Sequence, residues 1–127
     1  MKDITIIIPE RGGAVPELWE ALDGSAGEVE ASISFSREHH RVVHVVVADE
    51  AVETATSVLG NAGLMIVDTR DVLVLDLAAS GGLARITRTA YDSNAGVYLL
   101  SMATDNRVML GVANMDVARE AFGISES

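Results

Sequence analysis

Two glycine pairs, Gly12-Gly13 and Gly81-Gly82, each follow an apolar run and precede apolar residues at helical spacing. The two pairs lie 69 residues apart in a chain of 127 residues. Recurrence of one pattern at a fixed period indicates a duplicated structural unit. We therefore predict two copies of one fold, the first over residues 1–70 and the second over residues 71–127.

The order of elements within the first copy is predicted from hydrophobic periodicity. Residues 4–8 and 41–47 are almost wholly apolar runs, whereas residues 29–36 alternate between apolar and polar side chains. Apolar residues recur at helical spacing after the first run and again after Asp49. The resulting βαββαβ order, with two apolar central strands and an alternating edge strand, predicts an α+β fold. Each copy is expected to be a ferredoxin-like unit, an antiparallel sheet with helices on one face.

Two segments bear on how the copies are joined and how the second copy ends. The charged segment at residues 68–71 is interpreted as a turn that links the two units. After the last helical pattern, which ends near Phe122, only five residues remain. The second unit is therefore predicted to lack its fourth strand or to take one from elsewhere.

Composition excludes several classes of function. The chain has no cysteine, so disulfide scaffolds, thiol catalysis and thiolate metal sites are excluded. Its net charge of −10 disfavours binding to nucleic-acid phosphates. Its apolar runs are far shorter than the roughly 20 residues that span a membrane, and no signal-peptide pattern follows the first of them. We expect a cytoplasmic protein without a cofactor, a nucleic-acid partner or a membrane partner.

The three histidines of the chain lie close together in the sequence. His40 and His44 are four residues apart on one face of a predicted strand, and His39 precedes them. A metal site needs three or four ligands, and the sequence spacing supplies no others, so no metal site is predicted.

The two glycine loops resemble a known family. Residues 8–18 (IPERGGAVPEL) and 77–84 (LAASGGLA) are similar to the strand-to-helix signature of ACT domains, and residues 59–64 (LGNAGL) are similar to the turn after that family's second helix. The resemblance covers nearly the whole chain as a tandem pair. In one departure, Gly12 and Gly81 stand where the family often has proline.

The resemblance implies a regulatory protein that holds a free amino acid, or a similar small carboxylate, between paired ACT-like units. It further implies a homodimer and a regulated enzyme or transcription partner. Glycine lets backbone N–H groups approach a ligand, and the following helix N-terminus favours a carboxylate. The candidate ligand-binding residues are Arg11, Gly12, Gly13 and Ala14 in the first loop and Ser80, Gly81, Gly82 and Leu83 in the second.

The sequence is also compatible with two other functions. The chain could be a ligand-free accessory or oligomerisation subunit, which would pair through the edge strand that carries Ser32, Ser34 and Ser36. It could also be a small ferredoxin-like enzyme with His44 as an acid or base. The enzyme alternative requires His44 to face an enclosed pocket that contains a second polar group. No catalytic residue is predicted on the preferred interpretation.

Overall fold

The structure is a computed structural model that describes residues 1–9, 14–23 and 29–124. The strands and α-helices follow one another as β1 (Lys2–Pro9), α1 (Ala14–Asp23), β2 (Val29–Arg37), β3 (His40–Val47), α2 (Val52–Asn61), β4 (Met65–Asp76), α3 (Leu83–Asp92), β5 (Val97–Ala103), β6 (Arg107–Val112) and α4 (Met115–Ala121). Contacts between residues group the chain into two compact units, Met1–Arg70 and Asp71–Ser127.

The first unit is built on an antiparallel sheet whose two central strands are the apolar runs. The strand order is β2-β3-β1-β4, and Ile6 of β1 lies opposite Val43 of β3. Alternate residues of these strands point to one face, where they form a core with the helices. Leu18 of α1 and Leu59 of α2 are fully buried in that core, so both helices cover the same face of the sheet.

The other face of this sheet carries a mixture of apolar and polar side chains. Thr5 of β1 lies opposite His44 of β3, and Ile33 of β2 lies opposite His44 on its other side. Because paired residues share a face, the side chains of these three residues project away from the helices. Asp3 lies two residues from Thr5 on this face and is completely buried.

The second unit repeats this arrangement without a fourth strand in the described residues. Its strand order is β4-β6-β5, with Leu73 opposite Leu110 and Leu100 opposite Leu110. Ile86 of α3 and Ala118 of α4 are buried against the sheet. Up to Ile124, the last described residue, no strand follows α4. The predicted α+β fold, with ferredoxin-like units, is confirmed.

The interpretation of residues 68–71 as a linking turn is wrong. β4 runs without interruption from Met65 to Asp76, so it belongs to both units. Asp68 and Arg70 lie two residues apart and therefore on one face of the strand, where they form an ion pair. Local pairing of opposite charges lets this polar segment remain extended, although its composition is typical of a turn.

Gly60 offers a simple test of the helical assignment of α2. It lies in the last turn of that helix, is exposed, and an added Cβ would meet no atom within 4 Å beyond its chain neighbours and the backbone of its own helix. Gly60→Ala is expected to raise the free energy of unfolding by about 0.5–1 kcal/mol, because alanine loses less backbone entropy in a helix. Chemical denaturation followed by circular dichroism measures this change, and a loss of stability would contradict the assignment.

None of the helices in the described residues combines the length and the apolar character needed to cross a bilayer.

Candidate functional site

The connection between β4 and α3 is a tight, hydrogen-bonded loop. The Ser80 amide donates to the Asp76 carbonyl at 3.0 Å, and the Gly82 amide donates to the Leu77 carbonyl at 3.0 Å. Gly81 and Gly82 have φ angles of +86° and +98°, a region that residues with a Cβ rarely adopt. The glycine pair is therefore required by the path of the backbone, which turns sharply into the helix.

The first turn of α3 presents free hydrogen-bond donors. Gly82 is its N-cap and supplies no side-chain acceptor. The backbone N–H groups of Leu83, Ala84 and Arg85 have no acceptor among residues 1–9, 14–23 and 29–124. Together with the helix dipole, such groups carry about half a positive charge and favour a carboxylate.

A cavity of about 450 Å³ opens beside this loop. Its walls come from the end of β4, the loop, α3 and the residues at the end of α4. The lining residues are Val74, Leu75, Asp76, Ala78, Ala79, Ser80, Gly81, Arg85, Thr89, Ala121, Phe122 and Ile124. All of them belong to the second unit. The cavity therefore combines a glycine loop, a helix and both apolar and charged side chains.

Arg85 and Asp76 give the cavity one positive and one negative group. The guanidinium group of Arg85 has no hydrogen bond or ion pair within the described part of the chain. One oxygen of Asp76 accepts the Ala79 amide at 2.8 Å, which fixes that carboxyl group at the start of the loop. Arg85 and Asp76 do not pair with each other, so each can act on a ligand.

Gly81 lies close to the side chain of Arg85. A Cβ added at Gly81 would lie 2.6 Å from Cδ of Arg85, closer than real Cβ atoms approach another atom. Thr89 follows Arg85 by four residues, so it lies one turn further along the same face of α3 and lines the same cavity. The absence of a side chain at Gly81 thus leaves room for the arginine beside the loop.

Only some of the predicted site residues line the cavity. Ser80 and Gly81 line the cavity, whereas Gly82 and Leu83 begin α3 just outside it, and Leu83 is exposed. Ala14 is buried in the core of the first unit as the first residue of α1. Arg11, Gly12 and Gly13 lie outside the described residues. Sequence reasoning missed Arg85 and Thr89, although their spacing of four residues on a helix that follows a glycine loop is a usable signal.

On the sheet of the first unit, His44 belongs to a polar cluster whose other members, Asp3 and Thr5, were not predicted. Nδ1 of His44 lies 2.9 Å from Oδ2 of Asp3, and the Thr5 hydroxyl lies 3.2 Å from each of them. The ring of Phe35 stacks on that of His44, with centroids 6.3 Å apart. The cluster contains the second polar group that the enzyme alternative requires, but His44 is not among the described residues that line the cavity of the second unit. No group of three or more potential metal ligands occurs in the described residues.

Two exposed carboxyl groups have lowered pKa values. A hydrogen bond from Arg70 lowers the pKa of Asp68, and a hydrogen bond from the N-terminal ammonium group lowers the pKa of Asp49. Neither residue lines the cavity beside the glycine loop.

Comparison with known proteins finds likeness in fold only. No family model matches the chain, and no curated protein matches it in sequence. The ligand-free regulatory subunit of aspartate kinase from Thermus thermophilus superimposes with a TM-score of 0.72 at 17% identity, over 96% of this chain and 88% of that one. The corresponding subunit from Thermus flavus gives 0.69 at 17% identity, over 96% and 88%. A protein from Bacteroides thetaiotaomicron gives 0.76 at 17% identity, over 96% and 85%.

Proposed function

We propose that this protein is a regulatory subunit that binds a free amino acid in the cavity beside the β4–α3 loop. The observation that carries the proposal is the presence of Arg85 and Asp76, unpaired with each other, in one small cavity at the N-terminus of a helix. An α-amino acid is a zwitterion, so it needs one positive and one negative partner. This cavity offers both within a single unit.

The chemistry of each contact follows from the groups present. The guanidinium of Arg85 suits a carboxylate because it presents several donors in one plane. The free N–H groups at the start of α3 add to the attraction. The carboxylate of Asp76 suits the ammonium group, and the Ser80 and Thr89 hydroxyl groups are further polar partners. Phe122 and Ile124 provide an apolar wall for the ligand's side chain.

The resemblance to ACT domains and the fold likeness support a regulatory role. The glycine loop that lines the cavity is the segment that carries that resemblance. Two of the similar structures are regulatory subunits of aspartate kinase, which makes an enzyme the favoured partner of this chain. On the same grounds we propose a cytoplasmic homodimer with two tandem ACT-like units, residues 1–70 and 71–127. The loop with Arg11, Gly12 and Gly13 is a second candidate site.

A thermal-shift screen of the twenty amino acids, followed by calorimetry on each hit, tests the proposal. A ligand at one hundred times its dissociation constant stabilises the folded state by about 2.7 kcal/mol, which gives a clear shift. Arg85→Gln is expected to weaken binding at least tenfold, because it removes a charge-assisted hydrogen bond of about 1.5–3 kcal/mol. Asp76→Asn is expected to weaken the binding of amino acids. It should not weaken the binding of the corresponding carboxylic acids that have no amino group.

Arg88 provides the matched control. It is an exposed arginine on the same helix, three residues from Arg85, and does not line the cavity. Arg88→Gln should leave the affinity unchanged. Equal weakening by both substitutions would show a general effect of charge instead of a site. If none of the twenty amino acids shifts the melting temperature of a folded sample, the proposal is contradicted and the ligand-free accessory subunit is favoured.

A further inference from the structure

The first unit contains a larger cavity that the proposed function does not use. It has a volume of about 690 Å³ and lies where the end of β1, the β2–β3 hairpin and the α2–β4 connection meet. Ligand sites in proteins have volumes of about 300–1,000 Å³, so this cavity is large enough for a molecule bigger than most amino acids.

The walls of this cavity are mainly apolar. Ile7 and Val42 lie directly opposite each other on β1 and β3, on the sheet face that points away from the helices. Pro9 and Leu64 extend the apolar lining at either side. Met65 also lines the cavity and is 64% exposed. A flexible methionine at the wall of a cavity can adapt to an apolar ligand.

One end of the cavity is charged. Arg37 and His40 lie opposite each other at the end of the β2–β3 hairpin, and Glu38 occupies the turn between them. Within the described residues, neither Arg37 nor His40 has an ion pair or a hydrogen-bonded side-chain partner. Glu38 offsets the charge of Arg37, so this end carries no large net charge. The Arg37 guanidinium and an N–H group of the His40 ring are nevertheless hydrogen-bond donors that can hold a carboxylate.

We infer that this cavity binds an amphipathic carboxylate, with an aromatic or aliphatic body against Ile7, Val42 and Met65 and its carboxylate on Arg37 and His40. Burial of the apolar body supplies most of the affinity, and the two basic groups fix the orientation. This site lies in the first unit and shares no residue with the cavity beside the β4–α3 loop. The inference is therefore independent of the proposed amino-acid site.

Isothermal titration calorimetry with 4-phenylbutyrate and with 4-phenylbutanol tests the inference, since the two probes have similar shapes and differ in charge. The carboxylate is expected to bind at least ten times more tightly than the alcohol. Arg37→Gln should remove most of that difference. Met65→Glu should abolish binding of the carboxylate, because it places a negative charge on an exposed part of the wall where the fold does not depend on it.

Arg41 provides a matched control on the same hairpin. Its guanidinium donates to the hydroxyl groups of Ser34 and Ser36 at 2.9 and 3.3 Å, and it does not line the cavity. Arg41→Gln should leave the preference for the carboxylate intact. Arg85→Gln should also leave it intact, which separates this site from the amino-acid site.

Three results would overturn the inference. The first is absence of binding by either probe at millimolar concentration, and the second is equal affinity for the acid and the alcohol. The third is self-association on analytical ultracentrifugation that Met65→Glu abolishes while neither probe binds. That result would mean that a second copy of the chain covers this surface instead of a small molecule.

Discussion

Replacement of His44 by leucine is expected to lower the free energy of unfolding by about 3 kcal/mol or more, because it leaves a buried carboxyl group without its main partner. Asp3 is completely buried, and His44 is only 12% exposed. Oδ1 of Asp3 has no hydrogen-bond partner in the described residues, so the carboxyl group already depends on the contacts of Oδ2. Without His44, the Thr5 hydroxyl would be the one hydrogen-bond partner of that oxygen among the described residues. Urea denaturation followed by circular dichroism measures the loss.

The double variant Asp3→Leu/His44→Leu separates the cost of a buried carboxyl group from the cost of lost packing. Replacing both partners of a buried polar pair by apolar residues is often neutral or stabilising. The double variant is therefore expected to be more stable than His44→Leu alone. Asp92→Asn, at an exposed carboxyl group, serves as the control and should change the stability by less than about 0.5 kcal/mol. A double variant less stable than the single one would rule out this account of the cluster.

Gly111→Ala is expected to cost about 1–3 kcal/mol through overpacking in the sheet of the second unit. Gly111 lies on β6 between Val72 of β4 and Leu99 of β5. A Cβ added there would lie 2.6 Å from Cζ of Tyr98 and 2.9 Å from Cβ of Leu99. The Leu99 atom is fixed close to the backbone, so the strand itself must move. Gly111→Val should cost more, because it adds two further carbon atoms at the same place.

The matched comparison for this prediction is Gly60→Ala, the same chemical change at a position with open space around it. The two substitutions are expected to change stability in opposite directions. The cost of Gly111→Ala should also fall in a Tyr98→Ala background, because the ring that overlaps the new methyl group is then absent. Equal costs in the two backgrounds would show that the Tyr98 ring is not what limits space at this position.

Much of the fold could be predicted from the sequence because the strongest signals are local. The apolar run at residues 4–8 and the run at 41–47 are the central strands of the first unit, as their composition indicates. The left-handed conformation of Gly81 and Gly82 follows from the residue type. The continuity of β4 could not be predicted, since Asp68 and Arg70 look like turn residues until their mutual pairing on one face of a strand is known.

Only those residues of the candidate site that lie close together in the sequence were predicted. Ser80 and Gly81 were found from the loop itself, and the helical spacing of Arg85 after Gly81 could have extended the prediction by one turn. Phe122 and Ile124 line the same cavity but lie more than 30 residues further along the sequence. No local sequence pattern predicts that they reach it. The contact between Asp3 and His44 depends in the same way on the register of two strands that are far apart in the sequence.

The uninterrupted strand from Met65 to Asp76 has a practical consequence for anyone who wishes to divide the protein. The boundary between the two compact units falls between Arg70 and Asp71, inside that strand and not in a loop. Expression of either half alone would therefore cut a strand in two and leave each fragment with a frayed end. An insertion at this boundary must therefore interrupt β4.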